Sequence, residues 1–161
     1  MSKETIYNYI DDIENGDTRT LALDFIDFLL YNEMSFEKVG GYWKNQQYFC
    51  VKYRNEFVCY ILLNGKDDEA EFHPLTVWSD DSNSNWYCYA NLDDNTKSIV
   101  IKHIDICENC GACAGGTKKQ ILGKQYNNIC RTTFRFVNPN IAELECIKKL
   151  VLLRKIDIDR G

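Results

Sequence analysis

Four cysteines carry the sharpest chemistry in this sequence. Cys107, Cys110 and Cys113 are spaced three apart in Cys107-Glu-Asn-Cys110-Gly-Ala-Cys113, and Cys130 follows after sixteen intervening residues. A Cys-x-x-Cys turn is tight enough to bring two sulfurs to one side, where they face one ion. The glycine after Cys110 permits backbone angles that let amide N–H groups point at thiolate sulfur. Such N–H···S bonds help to hold a thiolate site. Cys113 adds a third ligand, and Cys130, placed at the start of a strand, closes a tetrahedron. Four thiolates suit structural zinc, bound at about 2.3 Å per sulfur.

Other readings of the same residues stay open. The heptapeptide resembles the cluster-binding run of bacterial ferredoxins, Cys-x-x-Cys-Gly-Ala-Cys, and that resemblance implies an iron–sulfur cluster. Such ferredoxins continue with three residues and Cys-Pro. Here Thr117 and Lys118 occupy those positions, so Cys130 would have to act as the remote ligand. In a redox reading, Cys107 and Cys110 cycle as dithiol and disulfide, one thiol pKa being lowered from about 8.5 by a helix end or a lysine. Reduced thiols without a ligand, or an adventitious disulfide on a loop, complete the set. His103, four residues before Cys107, could replace one thiolate if the preceding helix runs that far. Cys50, Cys59 and Cys88 lie in or beside apolar stretches and read as core cysteines, and Cys146 sits on the last helix without partners in sequence.

Beyond the cysteines the signals are broader. The run Gly111 to Lys118 has the look of a phosphate loop, but a Walker A motif needs lysine where Thr117 stands. Its glycines and Lys118-Lys119 still suit an anion-holding nest. Tyr42, Trp43, Tyr48, Phe49, Tyr53, Tyr60, Trp78, Trp86, Tyr87 and Tyr89 either line a pocket for a small apolar or cationic ligand or pack a sheet. His73, before Pro74, has no serine or cysteine motif beside it. No nucleophile elbow, metalloprotease helix or paired catalytic carboxylate can be picked out, so an enzyme is not indicated.

Charge and targeting bound the setting. Residues 1–97 hold 8 Lys and Arg against 18 Asp and Glu, whereas residues 98–161 hold 11 against 6. No acid stands between Glu108 and Glu143, while Lys118, Lys119, Lys124, Arg131 and Arg135 all fall there. The pI of 5.1 speaks against a nucleic-acid partner and for a basic half docked on the acidic half of the same domain. The start, Met1-Ser2-Lys3-Glu4-Thr5, lacks a basic region followed by an apolar one, so no signal peptide is expected. The longest apolar run, Phe57 to Leu63, is far short of the about 20 residues that cross a bilayer. The expected location is the cytoplasm, where metal, cluster or free thiol explains cysteines better than disulfides.

The elements that must position the cysteines follow from periodicity, and 161 residues fit one domain. Residues 1–16 read as a helix with Ile6, Tyr9, Ile10 and Ile13 on one face, Ser2 as N-cap and Asn15-Gly16 as a left-handed C-cap. Residues 17–92 read as a helix to about Tyr31, buried through Leu21, Phe25, Phe28 and Leu29, and then an antiparallel meander. Its strands are Phe36–Trp43, Tyr48–Tyr53, Phe57–Leu63 and one around Leu75–Trp78, with turns at Lys44-Asn45-Gln46, Arg54-Asn55 and Asn64-Gly65. Phe57–Leu63 is apolar in both alternating sets, which marks a strand covered on both faces. Acidic residues 67–71 and polar residues 80–85 form loops. Residues 93–161 read as a helix from Asp93 to about Ile104, the cysteine loop, strands Lys119–Lys124 and Cys130–Val137 joined at Asn127-Asn128, and a helix opened by Asn138-Pro139. Ile141, Leu144, Ile147, Leu150 and Val151 make that last helix's buried face.

The pattern Trp78-Ser79-Asp80-Asp81-Ser82, Cys107-x-x-Cys110-Gly-x-Cys113, Gly123-Lys124 and Cys130-Arg131-Thr132-Thr133-Phe134-Arg135-Phe136-x-Asn138-Pro139 resembles a family of small uncharacterised bacterial proteins, over most of residues 20–157. That resemblance implies a cytosolic location and no particular activity. Helices alternating with antiparallel hairpins are also similar, at fold level, to GyrI-like small-molecule-binding domains. The expectation is a single α+β domain, an antiparallel sheet with packed helices and a cysteine-rich loop. It serves as a binding protein whose Cys107, Cys110, Cys113 and Cys130 hold structural zinc. A small-molecule sensor with an aromatic pocket, a thiol redox protein and an iron–sulfur protein are the alternatives.

Overall fold

The computed structural model describes residues 3–39, 47–66, 72–79, 82, 84–108 and 114–161. Ser2, the Lys44-Asn45-Gln46 turn, the acidic loop 67–71, Tyr42, Trp43, Cys110 and Cys113 lie outside them. The described residues form four helices and one antiparallel sheet, a mixed α+β fold. In chain order these are α1 (Lys3–Asp11), α2 (Gly16–Tyr31), β1 (Ser35–Lys38), β2 (Gln47–Tyr53), β3 (Glu56–Lys66), β4 (Phe72–Ser79), α3 (Asp94–Ile101), β5 (Ile104–Ile106), β6 (Thr117–Ile121), β7 (Lys124–Val137) and α4 (Ile141–Asp159). Strands run in the order β1-β2-β3-β4-β7-β5, and β6 pairs with β7 off that path.

The register separates two faces, because successive side chains on a strand point to opposite sides. Phe49, Ile61, Val77 and Phe136 are matched across β2, β3, β4 and β7 and share the main core with Ile6 and Ile10 of α1, Phe25 and Leu29 of α2, and Leu144, Ile147, Leu150 and Val151 of α4. On the other face the row Cys50–Tyr60–Trp78–Arg135 lies beside Tyr48–Leu62–Thr76–Val137. Tyr48, Leu62 and Trp78 form a second buried cluster there. Strand β3 is therefore covered on both sides, as its doubly apolar sequence predicts.

Several local signals resolve differently from their sequence reading. Asn15 is no C-cap of α1: its backbone is extended, and its side chain accepts the Thr18 N–H as the N-cap of α2. Asn64-Gly65 does not turn the chain. Asn64 takes the left-handed conformation, yet Gly65 still pairs with His73 and Lys66 with Phe72. Asn64 sits opposite Pro74, which has no N–H to contribute, and its side chain donates to the Tyr9 carbonyl. The expected helix to Ile104 ends at Ile101, because Ile104 and Ile106 pair with β7 as a strand. The last hairpin turns at Leu122-Gly123, both left-handed and closed by the Ile121–Lys124 pair, so Asn127-Asn128 lie within β7. Pro139 precedes the true N-cap of α4, Asn140, whose capping box with Glu143 leaves Ile141 exposed.

Asp93 caps α3 by accepting the Thr96 N–H at 2.8 Å and the Thr96 hydroxyl at 2.7 Å, with Lys149 Nζ at 3.1 Å. These donors, the Thr96 amide first, hold its carboxyl far below the usual carboxylate range. A depressed folded-state value means a stabilisation that is present above the unfolded value of about 4 and lost as pH falls through and below it. Asp93→Ala is therefore expected to lower the urea midpoint at neutral pH, with the gap from the parent chain narrowing progressively as pH falls below about 4. Urea titrations of both chains across that range check this.

Candidate functional site

The cysteine loop springs from the meeting of three strands on β7. Ile106 of β5 and Thr117 of β6 both pair with Ile129, one from each side. Just past β5, the Cys107 N–H donates to the Asn128 carbonyl at 2.8 Å, and Asn128 Nδ2 donates to the Cys107 carbonyl at 3.2 Å. Asn128 is left-handed, within the stretch where β7 runs one residue longer than β6. On the return side Gly116 packs so closely that a Cβ there would lie 2.7 Å from the Cys107 Cβ and 2.8 Å from the Asn128 carbonyl carbon. Only glycine fits that approach. The loop leaves at Cys107 and re-enters at Gly116, its two ends in contact.

Cys130 follows Ile129 and is half-buried. Its Sγ lies 3.4 Å from the Thr132 hydroxyl, and its thiol hydrogen-bonds the carboxylate of Asp105. Burial pushes the thiol up, opposed by Thr132 and reinforced by Asp105. Asp105 is likewise raised by burial, while Arg135 and the Cys130 thiol pull it down.

The strand beyond Cys130 is irregular. Ile104 pairs with Phe134 and Ile106 with Ile129, so β5 advances two residues while β7 advances five. Within that excess, fully buried Thr133 has φ 61°. A left-handed residue with a Cβ costs about 1–2 kcal/mol, and a β-branched one is a strong outlier. Lys119 Nζ donates to the Arg131 carbonyl at 2.9 Å and to the Thr133 hydroxyl at 2.7 Å, and it lies 5.8 Å from the centre of the Tyr87 ring.

Among the described residues, no three His, Cys, Asp or Glu side chains gather closely enough to hold a metal. The four-cysteine set therefore depends on Cys110 and Cys113. His103 does not stand in for a thiolate. Its ring stacks on Phe136 at 4.3 Å, Nδ1 lies 3.2 Å from the Arg135 carbonyl and Nε2 2.5 Å from Glu143 Oε2. Cys50, Cys59 and Cys146 are buried, and the half-buried Cys88 thiol is raised by desolvation, in keeping with core roles.

The aromatic residues do not share one surface. Phe49, Tyr53 and Tyr87 belong to the main core, Tyr48 and Trp78 to the second cluster with Tyr60 against them, and Tyr89 is 79% exposed. Tyr48 stacks on Tyr60 at 4.9 Å, and the Arg135 guanidinium lies 5.7 Å from the Trp78 ring centre. The basic half meets acids through Lys148–Asp24 and Lys149–Asp93. Lys124 lies near the Tyr126 ring instead.

Sequence reading gave Asp105 and Thr133 no role, set Lys119 in an anion-holding nest and read Asn128 as a turn, because their contacts depend on strand register. Gly116 was legible as a glycine, without its contact. No helix among the described residues is long and apolar enough to cross a membrane. Searches against protein-family models, curated proteins and solved structures find no match to this chain.

Gly116→Ala must push the loop base apart. The expected cost is about 1–3 kcal/mol of stability, together with faster alkylation of Cys107. Gly123→Ala, where φ is 83° and the space is open, strains only the backbone and leaves Cys107 alkylation as it was. Urea unfolding and site-resolved alkylation of the two variants measure both effects.

Proposed function

We propose that this chain is a non-enzymatic, cytosolic binding protein in which Cys107, Cys110, Cys113 and Cys130 hold a structural zinc ion. The observation that carries this reading is the closed base of the loop: Gly116 against Cys107, with Asn128 bonding both main-chain groups of Cys107. Cys110 is three residues from Cys107, and Cys113 is three residues from Gly116. At about 3.5 Å per residue, both sulfurs are within chain reach of that base. Cys130 stands two residues from Asn128 on the strand that forms it. Zinc supplies the charge that converts the raised Cys130 thiol to a thiolate, and its tetrahedral preference suits four sulfurs. The ion's role is to fix the loop beside the β6–β7 hairpin, whose Lys118, Lys124 and Arg131 are exposed.

Protein purified without oxygen or chelator should contain about one zinc per chain and show no visible colour, as a single closed thiolate site requires. Cys110→Ser should lose most of that zinc and free Cys107 and Cys130 to alkylation. Brown protein containing iron and sulfide would transfer the same four residues to an iron–sulfur cluster. Thiols that titrate free, or as one disulfide with no metal, would sink the metal reading.

A further inference from the structure

Among the described contacts to the excess residues in β7, two come from the side chain of Lys119. Lysine side chains on a hairpin normally extend into water, since their charge is costly to turn inward. This one turns along the hairpin and gives two hydrogen bonds to the irregular stretch, one to the Arg131 carbonyl and one to the Thr133 hydroxyl. Thr133 is buried and left-handed, a conformation that persists only where its surroundings over-determine it. Cys130 is the first residue of the same stretch, its sulfur set between Asp105 and Thr132. We infer that Lys119 is a positioning residue for Cys130: by clasping Arg131 and Thr133 it holds the bulge of β7 that fixes the sulfur's place beside the loop base. The inference rests on the zinc reading where it concerns metal, and on the geometry of β7 alone where it concerns the thiol.

Lys119→Met removes both hydrogen bonds and keeps an unbranched side chain of similar length. Partners that orient metal ligands typically contribute 10–100-fold to affinity. The variant is expected to bind zinc about 10–100-fold more weakly in competition with a chelator. Loaded with cobalt(II), it should show a weaker thiolate charge-transfer band, as for a site that has lost one sulfur. Lys119→Arg, which restores donors and charge, should recover much of both. In metal-free, reduced protein, Cys130 should alkylate several-fold faster in Lys119→Met while Cys59, deep in the core, keeps its rate. A folded Lys119→Met with parental zinc affinity, cobalt spectrum and Cys130 alkylation would overturn the inference. If the parent chain takes up neither zinc nor cobalt, the metal reading and the metal part of this inference both fall. Cys130 alkylation then decides the positioning role by itself. Should Lys119→Met fail to fold, Thr133→Val keeps the side-chain shape, removes one of the two acceptors and is read by the same alkylation measurement.

Discussion

Backbone groups in a buried strand must find partners, and β7 has to meet that demand from three neighbours. Its C-terminal part lies between β4 and β5, with Phe134 matched to Ser79 on one side and Ile104 on the other. Its N-terminal part pairs with β6, and Ile129 is shared by Ile106 and Thr117. The register set by β5 at Phe134 differs from the register at Ile129, and the mismatch is absorbed in residues 130–133. The irregular backbone and its inward-turned lysine are consequences of that conflict. So is the placement of Cys130 against a half-buried carboxylate.

The rest of the molecule keeps that strand in place. All four helices contribute to the core on one sheet face. Helix α4 is tied down along its length. Arg154, itself buried, donates to the Phe57 carbonyl of β3 and to Asp157, which also accepts from Ser84. At its N-terminal end Glu143 serves twice, closing the capping box with Asn140 and meeting the imidazole of His103. His103 in turn stacks on Phe136 of β7. The opposite sheet face is closed by an aromatic cluster, across which Arg135 reaches Trp78 from β7. The described aromatic residues are divided between the two faces of the sheet, with Tyr89 exposed.

What could be read in advance, and what could not, follows from the range of each interaction. The meander was legible because Arg54-Asn55 and the alternation of Phe57–Leu63 are local signals, and both central residues of that turn are left-handed as such a dipeptide allows. Asn15, Asn64 and Asn128 misled because one residue type serves N-caps, kinks and turns alike, and only the partner decides among them. Asn15 finds Thr18, Asn64 finds Tyr9 and Asn128 finds Cys107. The cysteine motif could be seen as spacing, and Cys107, just past β5, and Cys130, on β7, each follow a member of the Ile106–Ile129 pair. Asp105 gave no signal, and the contacts of Lys119 could not be foreseen, since both depend on the register that β7 takes against its neighbours.

That separation also sets an order of assembly. Strands β2, β3 and β4 are joined by near neighbours in the chain, whereas β4 meets β7 across the Thr76–Val137 pair. Contacts so distant in sequence carry a larger loop-closure cost and form late. The base of the cysteine loop is built from pairs closer in sequence, Cys107 with Asn128 and Thr117 with Ile129, so it needs β5, β6 and β7 together and not β4. A nascent chain therefore presents Cys107 well before Cys130, and the two come near the same loop base only when β5 and β7 have paired.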